Sequence, residues 1–177
     1  MQRTGVEPAG KFILSFVVIF ALLLAACGGG DDVDDDAGGE AIPVVSGAER
    51  IHAADAPDDD VESFGGTISD GRTLVFTTDK SPEDVVAFYT NSLPEGWGLE
   101  ANVPSGDMSI VMIHKGNTAA AAIIGSGSVL RESGLFTEDE IKDMNIEDVD
   151  DGETAIVIAE YTCSTLQGSE CAQAIMQ

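Results

Sequence analysis

Two imidazoles, His52 and His114, and three thiols, Cys27, Cys163 and Cys171, have the widest chemical reach in this sequence. A hydroxyl nucleophile needs an imidazole to take its proton and a carboxylate to orient that imidazole. Serines and acids are plentiful, so the histidines set the limit. His52 falls in a loop-like stretch and His114 ends an apolar run, and both read as exposed bystanders. Gly125-Ser126-Gly127-Ser128 lacks the spacing of a nucleophile elbow. There is no phosphate loop and no dinucleotide fingerprint. Neither histidine has a Cys or His neighbour in sequence, as a zinc cluster would require. No catalytic residue, metal ligand or cofactor is therefore assigned. The catalytic chemistry left open is hydrolysis by paired acids, which so many carboxylates permit without specifying any pair.

The elements that hold these side chains begin with an apolar leader. Arg3 and Lys11 precede "FILSFVVIFALLLAA", an apolar run shorter than the roughly 20 residues of a bilayer span. It has the form of a secretory signal core. Leu24-Ala25-Ala26-Cys27 closes it, and this resembles the lipobox of bacterial lipoproteins. The resemblance implies cleavage before Cys27 and attachment of lipid to its thiol, with residues 1–26 as the signal peptide. An uncleaved anchor and an ordinary secretory signal are the competing readings. Two or more acyl chains hold a protein stably on a membrane. The expected location is thus the cell membrane, on its extracytoplasmic side.

Residues 27–41 read as a tether. "GGGDDVDDDAGGEA" has too little apolar surface to offset the entropy of ordering. Counted as a calcium loop from Asp32, it places Ala37 sixth and Pro43 twelfth, where Gly and Glu belong. The whole chain has 8 basic and 32 acidic residues, a net charge of −24. A surface so acidic repels nucleic acid, whose phosphates need cations, and favours a cationic partner or another envelope protein that presents one.

Residues 42–177 read as one α+β domain, a mainly antiparallel sheet with one principal helix on one face. A short strand is expected within Ile42–Ile51, and a loop over residues 52–66 with a weak strand near Val61–Phe64. A hairpin turn is expected at Asp70-Gly71, followed by the strand "RTLVFTT". Ser81 caps a helix to Leu93, with Pro82 in its first position and Asp84 completing the pattern. Val85, Phe88, Tyr89 and Leu93 form its apolar stripe, facing Leu74, Phe76, Ile156 and Ile158. A strand at Leu99–Val103 follows. "SPEDVVAFY" with "LPEGW" resembles a segment of uncharacterised exported bacterial proteins. The resemblance covers about residues 74–99 and implies a small α+β fold without assigned chemistry.

"MSIVMIH" and "TAAAAIIG" form a second hairpin around "KGN". A long insertion follows, with a capped turn of helix near Glu138–Met144 after Thr137. Asp151-Gly152 turns the chain into "TAIVIAEYTC", the most buried strand. An exported chain meets an oxidising space, where Cys163 and Cys171 should pair across "STLQGSE". Three functions remain in play: a membrane-tethered, non-catalytic binding or assembly module, an acidic surface protein binding divalent cations such as calcium, and a small hydrolase with unidentified acids.

Overall fold

A computed structural model describes residues 42–56 and 67–175. Cys27, the leader, the tether and the weak strand near Val61–Phe64 lie outside the described residues. Six strands form one sheet: β1 (Glu49–Asp55), β2 (Ile68–Thr78), β3 (Gly98–Ser105), β4 (Met108–Lys115), β5 (Thr118–Ser126) and β6 (Thr154–Cys163). Their order is β1-β2-β6-β5-β4-β3, and every neighbouring pair is antiparallel. The last strand in sequence thus sits beside the middle of the sheet and ties the β1–β2 pair to the β3–β4–β5 meander.

β6 explains its own composition. Ile156 and Ile158 enter one apolar layer and Val157 and Ala159 the other, each at most 1% exposed. A strand covered on both faces has no polar side to show, so it reads as a continuous apolar run. Ala119–Ala122 behave likewise on β5. Their small side chains spread over both faces and form strand despite the helical preference of alanine.

The class expected from sequence, α+β with an antiparallel sheet, is the architecture found. Helices cover both faces rather than one. The longest, α1 (Pro82–Asn91), lies on the face of Leu74, Ile113, Ile124, Ile156 and Ile158. Ser81 Oγ accepts the Asp84 backbone N–H at 3.2 Å, and Pro82 opens the helix. Val85 and Tyr89 are fully buried, whereas Phe88 and Leu93 are only partly so. The helix stops at Asn91, with Ser92 as its C-cap, so Leu93 lies beyond the helical stripe expected to include it, and Phe88 sits at the margin of the buried side. Phe88 packs edge-on to Tyr89, with ring centroids 5.1 Å apart.

The opposite face carries α2 (Gly127–Glu132), α3 (Glu138–Asp143), a 3-10 turn (Ile146–Asp148) and α4 (Ser169–Ile175). Leu130, Phe136, Met144, Ile146 and Ala172 fill a second apolar layer there. At the start of α3, Thr137 and Glu140 form the reciprocal capping pair.

Three local expectations change. Ile42 and Val45 are buried against the α1 layer, but the strand begins only at Glu49 and runs to Asp55. His52 therefore lies in a strand and not in a loop. Asp70-Gly71 lies inside β2, beside an irregularity in register between Ile68 and Asp70, and makes no hairpin. Gly71 is needed there for space: a Cβ would lie 3.1 Å from that of Ala56 and 3.6 Å from the Tyr161 ring. Among the described residues, no helix is long and apolar enough to cross a membrane.

Candidate functional site

Pairing of Ser105 with Met108 forces β3 to reverse into β4 through Gly106 and Asp107. Gly106 takes a positive φ of 61°, which an L side chain would resist. This turn projects beside α1 and leaves a groove of about 530 Å³ between them. Val86 and Ala87 form the helical wall, Pro104 and Met108 the opposite one, and Ile124 and Val129 the floor. On the opposite face of the same strand, Gly125 lets Leu130 and Met108 pack closely, since a Cβ there would lie 3.1 Å from both Leu130 Cδ2 and Met108 Cγ.

Two exposed carboxylates border this trough, Glu83 on the first turn of α1 and Asp107 on the strand turn. None of the described residues lining it is Lys, Arg or His. Thr90, Asn91, Ser109 and Ser126 also line it, so the groove offers apolar and hydrogen-bonding contact together within a negative rim. That suits a ligand with apolar side chains flanked by positive charge.

The residues singled out from sequence lie elsewhere. Cys163 and Cys171 form a disulfide, with Cα atoms 5.9 Å apart, as their spacing and the expected compartment suggest. The turn between β4 and β5 grips the same loop. Cys163 N–H donates to Asn117 O at 2.7 Å, Asn117 Nδ2 donates to Cys163 O at 3.3 Å, and Gly168 N–H donates to Gly116 O at 2.6 Å. The bridge thus fixes α4 against the sheet. His114 lies beside it, half-buried rather than freely exposed, with Nε2 3.9 Å from Glu100 Oε2. Glu100 Oε1 in turn accepts Gln173 Nε2 at 2.9 Å. Gly98 makes room for the imidazole, because a Cβ there would come within 2.8 Å of it. This polar chain joins β3, β4 and α4.

His52 is also partly buried, on β1, and its Nε2 has no hydrogen-bond partner. Burial lowers its pKa, opposed by the charge of Asp143. A smaller hollow nearby is lined by Thr77, Asn145, Asp148 and Glu153. Among the described residues no group of three or more His, Cys, Asp and Glu is arranged to hold a metal ion.

On the α1 face of the sheet, Arg72 Nε meets Glu160 Oε2 across the β2–β6 pair. Glu160 is 3% exposed, and burial pushes its pKa up while the Arg72 guanidinium opposes the rise. This pair and the groove carboxylates escaped the sequence reading for one reason. Glu83 reads as an ordinary acidic residue of a helical first turn, and nothing in a separation of 24 positions joins it to Asp107. Only the crossing of α1 over the meander brings them to one groove. Comparison of the chain with known protein families, with curated proteins and with solved structures finds no match.

Proposed function

We propose that this protein is a lipid-anchored envelope lipoprotein that acts as a non-enzymatic binding or assembly module. The observation that carries the reading is the open groove, lined by apolar and polar side chains, with its acidic rim. Leu24-Ala25-Ala26-Cys27 supports the anchor, and the acidic tether supports a domain held clear of the membrane surface. In this reading residues 1–26 are a signal peptide, Cys27 carries the lipid, and α1 is the principal helix of the functional face. The partner is an extracytoplasmic component with exposed positive charge, because a chain of net charge −24 attracts cations and repels other acidic surfaces.

Chemical cross-linking of intact cells, followed by purification of the anchored protein and identification of what is attached, tests this function. A reproducible partner with a basic surface supports it. A double His52→Ala, His114→Ala variant that folds but loses the cellular role would replace it with an enzyme. Mass spectrometry of the mature N-terminal peptide tests the anchor separately. A lipid-modified Cys27 is the expected result, and an unmodified Cys27 or retention of residues 1–26 removes the anchor from the reading.

A further inference from the structure

We infer that the groove between α1 and the β3–β4 turn is a peptide-docking site for a short basic segment that alternates apolar and cationic side chains. The inference rests on the binding-module reading and assigns its site and the chemistry of its partner. The volume, about 530 Å³, is that of a cleft able to take a few side chains. Val86, Ala87, Pro104 and Met108 offer apolar contact for a side chain. Thr90, Asn91, Ser109 and Ser126 line the same groove with polar groups that can meet a peptide backbone. Glu83 and Asp107 stand on opposite walls, so one positive residue can meet each while the apolar residue between them enters the trough.

Charge selects among the possible occupants. A second copy of this chain would bring another net charge of −24, and residues 28–41 hold six acids and no base. Both are repelled by the rim, and like charges brought together in an interface cost several kcal/mol. A cationic segment of a different protein is favoured by the same field. Such a segment would also be drawn to the domain from a distance, in a salt-dependent way.

The test uses the full-length protein in detergent and three fluorescein-labelled heptapeptides, followed by anisotropy at physiological salt. One peptide alternates lysine and leucine, the second lysine and serine, and the third glutamate and leucine. The expected result is that the lysine–leucine peptide binds at least about tenfold more tightly than either of the others. The double reversal Glu83→Lys, Asp107→Lys should weaken it by about tenfold or more and admit the glutamate–leucine peptide. Ala87→Trp, at an exposed position on the groove wall, should block binding while leaving the melting temperature unchanged. Equal binding of the lysine–serine peptide, or wild-type affinity in both variants, would overturn the proposal, since attraction to net charge alone would then account for capture. The cellular cross-link separates the two levels. A partner retained by Ala87→Trp removes the groove and leaves the binding module standing, a partner lost only in that variant supports the groove, and a wild-type protein that captures nothing removes the module itself.

Discussion

The two faces of the sheet are built in opposite ways. One is covered by a ten-residue helix, α1, with its cap and two fully buried side chains, Val85 and Tyr89, beside the segment that buries Ile42 and Val45. The other is covered by three helices of six or seven residues and a 3-10 turn. Isolated helices shorter than about 12 residues are marginal in water. The second face answers that weakness with fastenings. Arg131 Nη1 donates to Ile146 O at 3.1 Å and Val149 O at 2.7 Å, while Nη2 reaches Asp151. Thr137 and Glu140 cap α3, and the Cys163–Cys171 bridge holds α4. Both faces thus bury an apolar layer, and the second adds polar and covalent links between pieces that are short singly.

The largest expected effect comes from removing burial on the α1 face. Tyr89 is 0% exposed, so Tyr89→Ala should cost about 3–5 kcal/mol in chemical denaturation. Phe88→Ala should cost less than half as much, because that ring is only partly covered. Equal losses at the two positions would mean that the stripe is buried as widely as its periodicity suggests. Tyr89→Phe is the finer control. The Tyr89 hydroxyl is buried without a hydrogen-bond partner, so its removal should leave stability unchanged or raise it slightly.

Next in size is the covalent link on the other face. Reduction of Cys163–Cys171 should lower stability by about 2–3 kcal/mol, the chain-entropy value for so short a loop. The loss should be local. Hydrogen exchange should speed up in α4 and around Asn117, with α1 unaffected. Loss of protection in α1 at the same reductant concentration would show that the two faces do not differ in the way described. Arg131→Met should have a smaller effect, about 1–2 kcal/mol, because Val149 O loses its donor while Ile146 O keeps the Val149 N–H. Its signature is faster exchange over residues 144–151.

This contrast also explains what could be read from the sequence. The α1 face was legible because its information is local: Ser81, Pro82 and the spacing of Val85 and Tyr89 specify a helix and its inward side within ten residues. β4, β5 and β6 were legible because apolar runs bounded by Lys115–Asn117 and Asp151-Gly152 have no other stable use. The disulfide followed from cysteine arithmetic and the compartment expected from the leader. The second face was read only at Thr137, where a cap again lies within a few residues of its helix. Arg131 could not be matched to Ile146 and Val149, since carbonyl acceptors have no sequence signature. Asp70-Gly71 misled because a turn-favouring dipeptide also serves within a strand where a Cβ would crowd a neighbour, here that of Ala56. The groove was hidden for a topological reason, since its walls come from segments joined only by the path of the chain over the sheet.

The smallest effect concerns the Arg72–Glu160 contact within the α1 face. Glu160 lies under that face with Arg72 as its partner, and its pKa is raised because burial outweighs the guanidinium's attraction. The folded protein thus holds this proton to a higher pH than the unfolded chain does. Between the ordinary glutamate pKa and the raised value, the unfolded state is ionised while the native state remains protonated. Unfolding then releases a proton, so stability falls as pH rises through that window. Glu160→Gln abolishes this dependence while leaving the other carboxylates in place. The melting temperature of the wild type, measured against that of the variant, should therefore decline as pH climbs above the normal glutamate range and then level off. Arg72→Met should carry the decline to higher pH, because desolvation would act without the opposing charge. If the wild type instead gains on Glu160→Gln over the same range, the guanidinium outweighs burial. The α1 face would then depend on an ion pair, as the opposite face depends on its own polar links.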